Sequence, residues 1–349
     1  MGTLGGLRSR LRWYGLGAII LAAVVVVVLR WPAAGRMSPP FATPTVGIAP
    51  AYPLPAFLKG YAIAVTNFQG GSLGLLGRTT LVLGGGPHGL AEQPGGRYLW
   101  VLNSGGYNAW VVDRQTGRVV ASAPAGPAPV HAVFSPDGAT AYISDFGGAQ
   151  VTIVDAHTYQ QVGIITTSNE PHGIAISPDG KTLYVACVSG GVVLGIDTTT
   201  RQVTHRVLVT GGSAPYGLTL APDGKHGYFS DETFDHLVAF DTATWQLSGV
   251  AAVGARPALV RWVPGTNEVL VANNRGGSVT LVDATTMRPR ATILTGSGPH
   301  GVAASPDGRW LFVANEGSNM VSVIDHQQLR VVGEIPVGAF PIDVMADVG

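Results

Sequence analysis

From Gly60 onward, apolar and polar residues alternate over short runs of four to seven positions, each closed by a turn signal, as in half-buried β-strands. Between Pro299 and Pro341 the alternation predicts strands over 300–304, 310–315, 321–325 and 331–337, with Pro306-Asp307-Gly308 turning the first into the second. The same grammar recurs upstream. Second strands end at Asn67, Asn103, Asp145, Cys187, Asp231, Asn273 and Asn315, and third strands end on Asp113, Asp155, Asp197, Asp241, Asp283 and Asp325.

This recurrence has a fixed period. A proline followed seven residues later by a Pro-Asp-Gly-like turn stands at Pro87, Pro129, Pro171, Pro215, Pro257 and Pro299, and Pro341 opens a seventh unit; successive spacings are 42, 42, 44, 42, 42 and 42 residues. One four-stranded antiparallel sheet per unit fits that length, and seven such units predict an all-β, seven-bladed β-propeller over 60–349. The seventh unit runs out at Gly349 after one strand, while 61–67, 72–76 and 80–83 form three strands without a first. The prediction is that N- and C-terminal strands share one blade and close the ring, leaving no open sheet edge.

The N-terminal region has a different pattern. Seventeen residues from Trp13 to Leu29 carry no charge, and Arg8, Arg10 and Arg12 precede them. The reading is a basic cytoplasmic segment over 1–12, a transmembrane signal-anchor helix over 13–30, and an exported remainder. A cleaved signal peptide is the alternative, with small residues available at Ala33-Ala34-Gly35. Residues 31–59 hold seven prolines, from Pro32 to Pro55, and read as a semi-rigid tether. The expected location is therefore the cell membrane: single-pass, N-terminus inside, propeller outside.

Composition narrows the function classes. Lys plus Arg number 21 and Asp plus Glu 21, so no basic surface points to nucleic acid. A single cysteine, Cys187, rules out an intramolecular disulfide and a cysteine-based metal site. Nucleophile-elbow, phosphate-loop, zinc-protease and dinucleotide fingerprints are absent from the sequence.

The segments Tyr184-Val185-Ala186, Phe312-Val313-Ala314-Asn315 and Ala64-Val65-Thr66-Asn67, with recurring Ser-Pro-Asp-Gly and Val-x-Val-Ile-Asp patterns, resemble the YVTN-type (YncE-like) β-propeller repeat family over Gly60 to Gly349. Departures are Pro264-Gly265-Thr266 at the fifth turn and Cys187 where Asn is typical. The resemblance implies seven blades and a binding surface, and no common reaction.

In an antiparallel meander, the links between blades share one face with the links from second to third strands. On this upper face the residue after each repeat proline is His88, Val130, His172, Tyr216, Ala258, His300 or Ile342, with His131 following Val130. His88, His131, His172 and His300 are the candidate ligands for a divalent metal. Three of them fall in units one, three and six, spread around the ring, which weighs against one shared ion. Repeat-breaking residues on the same face, Tyr107, Asn108, Tyr216, Glu232, Phe234, Asp235, His236, Arg275 and Glu316, are candidates for binding a partner or polar ligand. The strand-three aspartates read as turn-stabilising groups.

The leading expectation is a monomeric, non-enzymatic binding platform. It would take an envelope protein, polymer or small ligand at its upper face, with no predicted cofactor and no nucleic acid. The alternatives are a redox or hydrolytic metalloenzyme with the histidines at the channel mouth, and a lactonase-like hydrolase.

Overall fold

The computed structural model describes residues 46–209 and 211–348. The basic segment, the membrane helix and the tether as far as residue 45 lie outside the described residues. Among the described residues no helix is long and apolar enough to cross a membrane.

Seven antiparallel sheets follow one another along the chain. Six have four strands in sequential order: blade 1 (87–124), blade 2 (129–166), blade 3 (171–208), blade 4 (215–252), blade 5 (257–294) and blade 6 (299–336). Blade 7 has five strands. Pro341–Val348 pairs with Tyr61–Asn67, from Tyr61 opposite Val348 to Asn67 opposite Pro341, and Ser72–Leu75, Thr79–Val82 and Gly47–Ala49 continue the sheet outward. The chain is thus a seven-bladed β-propeller of antiparallel blades.

The outermost of these five strands comes from the segment that sequence assigned to the tether. Gly47 lies opposite Val82 and Ala49 opposite Thr80, Leu58 is fully buried, and Tyr52 and Leu54 pack on the apolar core between blades 6 and 7. A proline-rich stretch can still add an edge strand, because an edge needs hydrogen bonds on one side only.

The core lies between neighbouring blades, where flat apolar faces stack: Trp100, Phe134 and Val154 join blades 1 and 2, and Phe229, Phe240 and Tyr184 join blades 3 and 4. The strand-three aspartates cap turns. Asp283 Oδ1, for example, accepts from the Thr285 and Thr286 N–H groups at 3.1 and 2.7 Å. Asp155, Asp197, Asp241 and Asp325 each accept from two N–H groups and Asp113 from one.

Innermost strands begin with the repeat proline and then bulge. The pairing shifts between Pro87 and Leu90, and again at the equivalent places in blades 3 to 6. Two residues after the proline stands Gly89, Gly173, Gly217 or Gly301, and the reason is close approach. A Cβ on Gly217 would lie 2.6 Å from the Ala258 carbonyl oxygen, and one on Gly301 would lie 2.6 Å from both the Ile342 oxygen and the Asp343 Cα. Blades 2, 5 and 7 place His131, Leu259 and Asp343 at that position. The inner strands are therefore packed so tightly at their upper ends that side chains from distant units meet on the axis.

Candidate functional site

Four imidazoles and one phenol meet there. The His88 ring lies 5.4 Å from His131, 5.8 Å from His172 and 5.9 Å from His300, and His131 lies 4.8 Å from His172, centre to centre. Tyr216 stacks on His172 at 3.7 Å and meets His300 edge-on at 5.7 Å. Histidines from units one, two, three and six are thus in ring contact. Their spread around the repeat suggested otherwise, but the inner ring is too narrow at this level to hold them apart.

Hydrogen bonding separates one histidine from the other three. His300 Nδ1 is 3.0 Å from the Ile342 carbonyl oxygen, which only accepts, so Nδ1 carries the proton. Nε2 of the neutral ring is then an acceptor, and the Tyr216 hydroxyl donates to it at 3.0 Å. That phenol crosses over the small Ala258 of blade 5 to reach blade 6. In contrast, His88 Nδ1, His131 Nε2 and both ring nitrogens of His172 are buried without a well-formed hydrogen bond, although the Val130 and Tyr216 backbones lie close enough to His88 and His172 to favour their protonated forms. A buried polar atom left unpaired costs roughly 1–3 kcal/mol, so these nitrogens are open to a partner that would satisfy them.

Burial is the first cause of the depressed basicity of all four rings: it brings His88 down to about 3, aided by His300, and lowers His131, His172 and His300. At neutral pH the cluster is uncharged, the form in which imidazole binds metals. Among the described residues, no three His, Cys, Asp or Glu side chains already surround a common point as ligands. Cys187 takes no part: it is fully buried away from the cluster, and burial pushes its thiol up to about 12.

Above the cluster, the residue following each second strand donates its N–H to the carbonyl of the residue before a repeat proline, at 2.8–3.1 Å in all seven blades. Phe68, Ser104, Phe146, Val188, Glu232, Asn274 and Glu316 thus form one ring of the rim, and Gly86, Ala128, Glu170, Ala214, Arg256, Gly298 and Phe340 form the other. The rim is two-sided. Phe68 meets His88 and Phe340 at 6.2 Å, and Phe146 meets His172 at 5.9 Å. On blades 4 to 6, Arg256 pairs with Glu232 at 3.4 Å, and Asn274 donates to Glu316 at 2.9 Å. Burial raises the Glu232 carboxyl, with Arg256 opposing.

Of the rim residues singled out from sequence, Tyr216, Glu232 and Glu316 stand at this mouth, Asp235 touches it through the Arg256 backbone, and the other five make no contact with it among the described residues. Tyr107 sits exposed at a left-handed turn position with φ 53°. Asn108 is bonded to Asn103 and Ser122 within blade 1. Asp235 holds the Arg256 N–H at 2.7 Å, Phe234 and Arg275 are exposed on outer turns, and His236 lies opposite Ala252 in its sheet. Sequence reading missed Phe68, Phe146, Phe340, Arg256 and Asn274. The usable signal was positional: they stand directly after second strands or before repeat prolines, where other blades carry Gly, Ala, Ser, Val or Glu.

Fold and site together define a seven-bladed β-propeller with an axial histidine cluster. No family model matches the chain, and no curated protein matches it. Among solved structures it is similar to a chain of Kuenenia stuttgartiensis hydrazine synthase, at 22% identity over 75% of this chain and 89% of that one, with a TM-score of 0.68. It is also similar to a putative 6-phosphogluconolactonase from Bacteroides fragilis, at 17% identity over 84% and 99% with a TM-score of 0.69. A third similarity is to the dihydro-heme d1 dehydrogenase NirN in complex with DHE, at 15% identity over 78% and 63% with a TM-score of 0.59. At these identities the likeness is one of fold.

Proposed function

We propose that this chain is an extracytoplasmic binding propeller whose ligand is a transition-metal ion held by the axial imidazoles. The observation that carries the reading is the mutual ring contact of His88, His131 and His172, three buried imidazoles of lowered basicity whose ring nitrogens lack well-formed hydrogen bonds. Imidazole nitrogens at metal-bond length from one ion put ring centres roughly 5 Å apart, and the spacings here run from 4.8 to 5.8 Å. Rotation about χ2 would turn their free nitrogens inward toward a shared ion. His300 is held by Ile342 and Tyr216 and positions the phenol against His172. Neutral imidazoles favour Cu(II), Ni(II) and Zn(II) over oxygen-seeking Mg(II) and Ca(II).

The test is titration of the full-length chain, purified in detergent and stripped with chelator, with Cu(II) and Zn(II). One equivalent should bind in the wild type and be lost in His172→Phe; equal uptake by both, or none, overturns the reading. The proposed placement, propeller outside and N-terminus inside, rests on the residue 8–30 pattern. Protease added to intact cells should then remove the propeller.

A second reading, a lactonase-like hydrolase, draws on the likeness to putative 6-phosphogluconolactonases and on the Glu232–Arg256 pair beside Tyr216 and His300. Glu232 would serve as the base for water attack, and Arg256 would face the developing oxyanion. Release of acid from a δ-lactone, lost in Glu232→Gln, would support it; no turnover above buffer would dismiss it.

A further inference from the structure

Below the imidazole cluster the axis opens into a cavity of about 350 Å³, whose lining includes Leu90, Ile174, Leu218, Leu259 and Met345, the underside of His131, and Arg261. That volume lies within the usual range for small-ligand sites. Arg261 is foreign to its position. Four residues beyond the repeat proline, the other blades carry Ala91, Val133, Ala175, Thr219, Ala303 and Met345, so the fold makes no demand for a cation here.

Arg261 is half-buried, yet among the described residues no hydrogen bond or ion pair satisfies its guanidinium. Its charge acts instead on the buried Asp343 and on His131. Asp343 is spoken for: its two oxygens accept the Leu90 and Val344 N–H groups at 3.0 and 2.9 Å. Glu92, the one carboxylate of the lining, is held by Arg114 at 2.9 Å. A partly desolvated guanidinium whose nearest carboxylate, Asp343, is engaged by backbone N–H groups and makes no direct ion pair with it keeps its donors free for an anion.

We infer that this cavity binds a small organic carboxylate, with its head on Arg261 and its hydrocarbon body against the Leu, Ile and Met walls. The walls choose the ligand class. A fully hydrated inorganic anion such as phosphate would lose water against Leu90, Ile174 and Leu218 without replacement hydrogen bonds, whereas an alkyl carboxylate leaves that part dry. The planar fork of an arginine suits the bidentate carboxylate.

The experiment is calorimetric titration of the full-length chain with hexanoate, hexanamide as its uncharged counterpart, and inorganic phosphate. All are run in chelator, so that metal at the imidazoles contributes nothing and failure here leaves the metal reading untouched. Hexanoate should bind, phosphate should not, and hexanamide should bind at least about tenfold more weakly. Arg261→Met should lose hexanoate by a similar factor, and Arg261→Lys should recover part of it. Thermal unfolding of both variants checks that they fold. Absence of hexanoate binding, or equal binding by wild type and a folded Arg261→Met protein, overturns the proposal.

Discussion

At the outer turns between third and fourth strands, six blades carry the same aspartate, accepting the N–H three residues on in every case and the N–H two residues on in all but Asp113. At the axis, the residue after the repeat proline differs between every pair of neighbouring blades: His88, Val130, His172, Tyr216, Ala258, His300 and Ile342. The outer position solves a problem internal to each blade, so one solution serves six times. The axial position is shared by seven strands, and what it holds includes buried imidazoles whose basicity burial depresses. Repetition marks what the fold requires, and its loss marks where the fold tolerates cost.

The comparison can be broken most severely at the glycines that let the inner strands meet. Gly301→Val should destabilise the protein by about 3 kcal/mol or more, since the added atoms would enter the backbone of Pro341–Val348. An unchanged melting temperature would show that the axis is looser than described.

Acid provides the next largest effect. The axial histidines have folded pKa values below the ordinary 6.5, with His88 near 3. Between these values the unfolded chain binds protons that the folded one does not. Stability is therefore complete above pH 6.5 and is lost as pH falls, at up to about 1.4 kcal/mol per pH unit for each histidine. His172→Phe should flatten the slope between pH 6.5 and 4.5, and an identical slope would remove that ring from the account.

Tyr216→Phe leaves His300 Nε2 without its donor and should cost roughly 1–2 kcal/mol by chemical denaturation. Asp283→Ala, at an exposed turn where water can replace the carboxylate, should cost about 1 kcal/mol or less. If the turn substitution cost more than the axial one, the contrast between the two regions would be reversed.

The sequence by itself determined the architecture. The proline spacing set the blade count, the alternation set the strands, and the aspartates before polar turns were readable as caps, because these features depend on neighbours within one unit. Even the histidines were visible as departures from the repeat. Their meeting was not, nor was the choice of Tyr216, Glu232 and Glu316 over Tyr107, Asn108 and Arg275. The packing of residues 47–58 on blade 7 was equally hidden, since a proline-rich stretch reads alike whether free or docked. Tertiary structure decided these points for one physical reason. Glycines at Gly217 and Gly301 draw neighbouring inner strands to van der Waals limits, and so place residues more than 200 positions apart, such as His88 and His300, on one axis. No periodicity along the chain encodes that distance, because it is set by the closest approach of seven backbones.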